Sequence, residues 1–97
     1  MDDELLRQYA LTIANTVSVM TRGFGPRLDQ WDFMLVSQPK IPFANETAVP
    51  NITYTYNFET NEKASAVVQM LHEFLYGTPY EPKGSDNGCY LICFVKE

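Results

Sequence analysis

The stretch CYLICFV, residues 89–95, is apolar at every position. A β-strand turns successive side chains to opposite faces, so Cys89, Leu91, Cys93 and Val95 form one row and Tyr90, Ile92 and Phe94 the other. A strand of this kind reads as buried on both faces. The rest of the chain must therefore supply cover for two sides of a sheet, or leave one side for something else to cover. With 97 residues there is room for one domain and one principal core.

The available cover is limited to two helical segments. In residues 3 to about 21, Leu5, Leu6, Tyr9, Ile13, Val17 and Met20 recur at three- and four-residue steps, which places them on one stripe. Arg7, Leu11, Asn15 and Ser18 fall opposite. Asp2 suits a cap, and Asp3 and Glu4 suit the positive end of the helix dipole. The segment RGFGPR, residues 22–27, supplies two glycines and a proline and is expected to turn the chain from helix to strand. The second helix is expected from about Asn61 to Tyr76, capped by Thr60 and stopped by Gly77 and Pro79. Ala64, Val67, Val68, Leu71, Phe74 and Leu75 share its apolar face.

Two more strands complete the reading. Trp31–Val36 alternates Trp31, Phe33 and Leu35 against Asp32, Met34 and Val36. Ile52–Phe58 sets a bulky row of Ile52, Tyr54, Tyr56 and Phe58 against Thr53, Thr55 and Asn57, so one of its faces is expected to be wet. Long loops, about 37–50 and 77–88, separate these elements. Loops of this length inside a small domain are more often functional. The expected fold is a single α+β domain over residues 1–97, in the order α-β-β-α-β. A small, mostly antiparallel three-stranded sheet packs with two helices.

Two arrangements remain open. One helix on each side of the sheet would bury both rows of the last strand. Both helices on one side would leave Tyr90, Ile92 and Phe94 bare beside Met34 and Val36, an apolar patch on the order of a few hundred Å², of the size that marks an interaction site. The wet row Thr53-Thr55-Asn57 favours the one-sided arrangement. On that reading Tyr90, Ile92, Phe94, Met34 and Val36, with Phe43 from the first long loop, form a partner-binding surface. Self-association through that face or through a sheet edge would follow.

Catalytic and metal chemistry find little support in the spacing. Cys89 and Cys93 stand ~13 Å apart along a strand, beyond the ~7 Å reach of a disulfide, and no further cysteine pair completes a zinc site. His72, the single histidine, lies on the flank of the second helix. Asp29 and Asp32 border the first strand, and three residues apart they need not converge. RGFGPR lacks the Walker spacing and precedes no helix whose N-terminus would hold a phosphate. Arg22 and Arg27 would be the leading contacts for a phosphate-bearing ligand, with Trp31 as the stacking platform of that alternative, although Trp31, Tyr54 and Tyr56 fit core-facing rows and are expected in the core. No metal, cofactor or catalytic residue is assigned.

The formal charge is −5 and the pI about 4.7, which disfavours direct nucleic-acid binding while suiting competition for a basic site on another protein. Acids stand where a signal peptide carries basic residues, and no apolar run approaches the ~18 residues of a membrane span. The sequons at Asn45 and Asn51 are then expected to be incidental, and a cytoplasmic location is expected. The leading functional expectation is a small acidic, non-enzymatic protein-interaction module. In style of sequence it resembles the inhibitors and adaptors of phages and mobile elements. A binder of a nucleotide-like ligand through Arg22, Arg27 and Trp31 is the alternative. A small hydrolase using Asp29, Asp32 or His72 is a further one.

Overall fold

The computed structural model describes residues 3–24, 27–38, 53–82 and 87–95. Helix α1 spans Asp3–Phe24, strand β1 Trp31–Val36, strand β2 Thr53–Asn57, helix α2 Asn61–Tyr76 and strand β3 Tyr90–Val95. A short 3-10 turn, Leu28–Gln30, leads into β1. This is the expected α+β order. The first helix runs one turn further than its apolar stripe indicates, so Arg22 and Gly23 are helical rather than part of the turn.

The three strands form one sheet in the order β1-β3-β2. The doubly apolar strand takes the central place, antiparallel to both neighbours. Its Cys93 stands opposite Phe33 on one side and Tyr54 on the other. Two hydrogen-bonded neighbours leave β3 no free edge, and this position suits a segment that carries no charge from Cys89 to Val95.

Both helices lie on the same side of the sheet. Leu6, Ala10, Ile13, Ala14 and Val17 from α1 and Ala64, Val67, Val68 and Leu71 from α2 share one buried cluster with Trp31, Phe33, Leu35, Leu91 and Cys93. The local sequence sets up each helix. Alanines at positions 10, 14 and 64 allow close approach of backbone to neighbour. The Thr60 hydroxyl accepts from the Lys63 N–H at 3.2 Å at the start of α2. Gly77, with φ of 73°, ends α2 in the left-handed region, its N–H bonded to the Glu73 carbonyl.

The opposite face departs from expectation. Met34, Val36, Ile92 and Phe94 form a second cluster without any helix residue, with Tyr90 packed against it. Far from being bare, Ile92 is 0% exposed, Phe94 3%, Val36 8% and Met34 9% within the single chain. The physical reason lies in the sequence of β3 itself: its two rows are equally apolar, and leaving either in water would forfeit the transfer energy of several large side chains. Thus the helices do pack on one side, but the surplus row serves as a second small core, and the bare patch assigned to these residues is absent. Phe43, the sixth member of that set, lies outside the described residues, as do the two sequons and Asp2.

Candidate functional site

The two outer strands of the sheet end differently, and the difference can be read from hydrogen bonds. At β1, the Phe33 N–H donates to Asp32 Oδ1 at 2.9 Å, and the Phe33 carbonyl accepts from the Tyr80 hydroxyl at 3.1 Å. Tyr80 is 6% exposed, held in place by Gln69 Nε2 donating to its carbonyl at 2.9 Å. Side chains therefore occupy the outer edge of β1 at its middle.

The same bonds fix the orientation of the whole sheet. In an antiparallel ladder each residue directs its N–H and C=O to one side, and the sides alternate along the strand. Phe33 turns its backbone outward, so Cys93 opposite it turns toward β2, where it meets Tyr54. Tyr54 and Tyr56 consequently bond β3, a pattern that the Phe58 N–H continues by donating to the Cys89 carbonyl at 3.0 Å. Thr53, Thr55 and Asn57 direct their N–H and C=O groups away from the sheet. Among the described residues no hydrogen bond reaches those backbone groups, and all three side chains are exposed.

Helix α1 lies along this open edge. The Tyr9 ring meets Phe58 edge-on at 5.7 Å between centroids, and Thr12, Asn15, Thr16, Val19 and Met20 line a groove of about 360 Å³ with Tyr54. Tyr9 meeting Phe58 and Met20 lining the groove with Tyr54 show that the helix runs antiparallel to β2. Its flank over the edge carries Leu5, 42% exposed, Tyr9, 44%, and Val19, 54%. Apolar side chains on one flank of a helix, beside the outer edge of a strand free of charge and proline, make the most distinctive surface among the described residues. Burial raises the Tyr56 pKa above its ordinary value, so the phenol stays protonated there.

The residues expected from sequence are distributed elsewhere. Trp31 is buried; its indole N–H donates to Thr21 Oγ1 at 3.0 Å, and its ring stacks on Tyr54 at 6.3 Å across β3. It holds the sheet to α1 and presents no open face to a base. Arg22 borders a shallow groove with Asn15, Ser18, Thr21 and Leu28. Arg27 is exposed and pairs with Asp29 at 3.3 Å. Arg22 and Trp31 thus line different clefts, and Arg27 lines neither of them.

Asp29, Asp32 and His72, by contrast, come together. They line a cleft of about 340 Å³ with Phe33, Tyr76 and Tyr80 at the blocked edge of β1. His72 Nδ1 stands 2.6 Å from the Thr78 carbonyl; a carbonyl only accepts, so Nδ1 carries the proton in that bond. Tyr76 donates its hydroxyl to the Leu28 carbonyl at 2.8 Å, and burial, with the negative charge of Asp32 adding to it, pushes its pKa up to about 12. The Tyr76 and Tyr80 hydroxyls and the His72 Nδ1 proton are thus spent on backbone carbonyls that tie the 3-10 turn, β1 and the segment after α2 together. Cys93 is sealed in the core, where burial pushes its thiol pKa upward, the reverse of what a nucleophile needs. Cys89 and Cys93 are both free thiols. Among the described residues no group of three or more His, Cys, Asp or Glu is placed to hold a metal, and no helix is long and apolar enough to cross a membrane.

The sequence allowed for association through a sheet edge but did not show which strand would supply it, because strand order was not legible there. TYTYN reads equally well as an inner or an outer strand. Its polar row gave the available signal, since alternation with threonine and asparagine suits an edge. Compared with known protein families, curated proteins and solved structures, the chain matches none. The functional reading therefore rests on geometry and chemistry.

Proposed function

We propose that this protein is a small, non-enzymatic protein-interaction module that works by strand addition at β2. The observation that carries this reading is the edge itself: the outward backbone groups of Thr53, Thr55 and Asn57 are free of hydrogen bonds among the described residues, beside the exposed apolar flank of α1. Edge strands of soluble proteins are usually blunted by charge, proline, a bulge or a covering element, and TYTYN carries no charge and no proline. An incoming strand would gain main-chain bonds from the edge and apolar contact from Leu5, Tyr9 and Val19. The net charge of −5 biases partner choice toward neutral or basic surfaces, and an inhibitor or adaptor acting inside the cytoplasm is the role that fits such a module.

The test uses Thr55→Pro. Its N–H points away from β3, so proline removes an outward donor without removing a bond of the sheet. A folded Thr55→Pro protein that loses the partners the wild type retains in crosslinking and pull-down experiments supports strand addition. Retention of the same partners by the folded variant overturns it.

A further inference from the structure

We infer that the strand this edge accepts is β2 of a second copy, giving a two-fold dimer with a continuous six-stranded sheet. The inference rests on the reading of β2 as a docking edge and goes further in naming the occupant. The argument is self-complementarity. An isologous contact requires one surface to match itself, and the outward groups of β2 do so in one register. With Thr55 placed opposite its counterpart, Thr53 falls opposite Asn57 of the second copy and Asn57 opposite Thr53. These are the residues whose N–H and C=O groups point outward, so every facing pair exchanges both bonds of an antiparallel ladder.

The side chains agree with the backbone. On the wet face the register sets Thr against Thr and Thr against Asn, pairs that hydrogen-bond across strands. On the helix face it sets Tyr54 opposite Tyr56 of the second copy, an aromatic cross-strand pair, and both rings are only half-buried in the single chain. No position from Thr53 to Asn57 brings like charges together, which a chain of net charge −5 avoids only on a neutral stretch. The rotation also brings the two α1 helices side by side and antiparallel, because α1 runs antiparallel to β2 along this edge. With Tyr54 beside the Thr12–Met20 stretch of α1, the axis falls near Thr16, so Val19, 54% exposed, is the apolar residue on the facing flanks that would then leave water. The β1 edge offers no equivalent, since Tyr80 and Asp32 side chains already bond its central residue.

The experiment compares wild type, Thr55→Lys, Thr55→Asp and an equimolar mixture of the two variants by sedimentation and native mass spectrometry. The wild type is expected at twice the 11.1 kDa chain mass. Each variant sets like charges directly opposite at the two-fold axis, which is expected to weaken the dimer about tenfold or more. In the mixture, lysine faces aspartate and the heterodimer mass returns. Both substitutions fall on an exposed side chain, and circular dichroism checks that the fold is retained. Val19→Lys, on the α1 flank, serves as a second route to the monomer. A wild type that stays monomeric at high micromolar concentration overturns the inference, as does a dimer indifferent to both Thr55 charges. A monomeric wild type whose partner capture is still lost in Thr55→Pro removes the second copy and leaves strand addition standing. If capture also survives that substitution, both readings fall.

Discussion

Replacing Ile92 with alanine tests whether the face of the sheet opposite α1 and α2 is a true core. Ile92 is fully buried on that face, among Met34, Val36 and Phe94. The substitution removes three carbons, worth ~0.8 kcal/mol each in transfer free energy, or about 2.4 kcal/mol together. A central-strand site with neighbours on both sides collapses poorly, so a cavity contribution of about 1 kcal/mol or more adds to this, and the expected loss is about 3–4 kcal/mol. Domains of this size have a total stability of roughly 5–15 kcal/mol, so the variant should fold while losing a large share of that margin. Urea unfolding followed by tryptophan fluorescence gives the value, with an unchanged m-value showing that the native state is as compact as before. Thr55→Ala, on the same face but exposed, is the control and is expected within about 0.5 kcal/mol of wild type. A loss below about 1 kcal/mol for Ile92→Ala would refute the second core and return that face to the status of a bare surface.

Further outcomes follow from the same geometry. Gly88 is buried, and a methyl group there would collide with the Val36 carbonyl and the Ser37 nitrogen; Gly88→Ala should lose about 3 kcal/mol or more, visible as a lowered thermal midpoint. In native protein a thiol reagent should titrate Cys89 first and reach Cys93 only on unfolding, measured as one rapid equivalent against two in denaturant. Tyr76 binds its proton more tightly folded than unfolded, since its pKa rises from 10.0 to about 12. Its contribution to stability is therefore complete below pH 10 and is lost as pH climbs toward 12. The urea midpoint should fall across that interval, and Tyr76→Phe should flatten the fall without abolishing it, because the Tyr56 pKa is raised as well.

Much of the fold was legible because it depends on local signals. The stripe Leu6-Ile13-Val17, the Thr60 cap and the Gly77 stop define helices through spacing and hydrogen-bonding chemistry that act within one or two turns. The alternation in Trp31–Val36 and in TYTYN defines strands in the same way. The site was less legible. Asp29, Asp32 and His72 converge because α2 packs across β1, and that packing has no counterpart in linear spacing. Trp31 sits in a core-facing row of its strand, and the structure buries it there; that Tyr54 would stack on it depends on the strand order.

By itself the sequence determined that one strand must have no dry-to-wet contrast between its faces, because CYLICFV is apolar at every step. It also marked out two helices, by stripe, cap and stop, as cover for the sheet. The order β1-β3-β2 was decided in three dimensions, where long-range pairing competes among strands of similar pattern and the most apolar one gains most from the centre. That choice left TYTYN outermost, with Thr53, Thr55 and Asn57 turned to water, and an edge exists only once neighbours have been assigned.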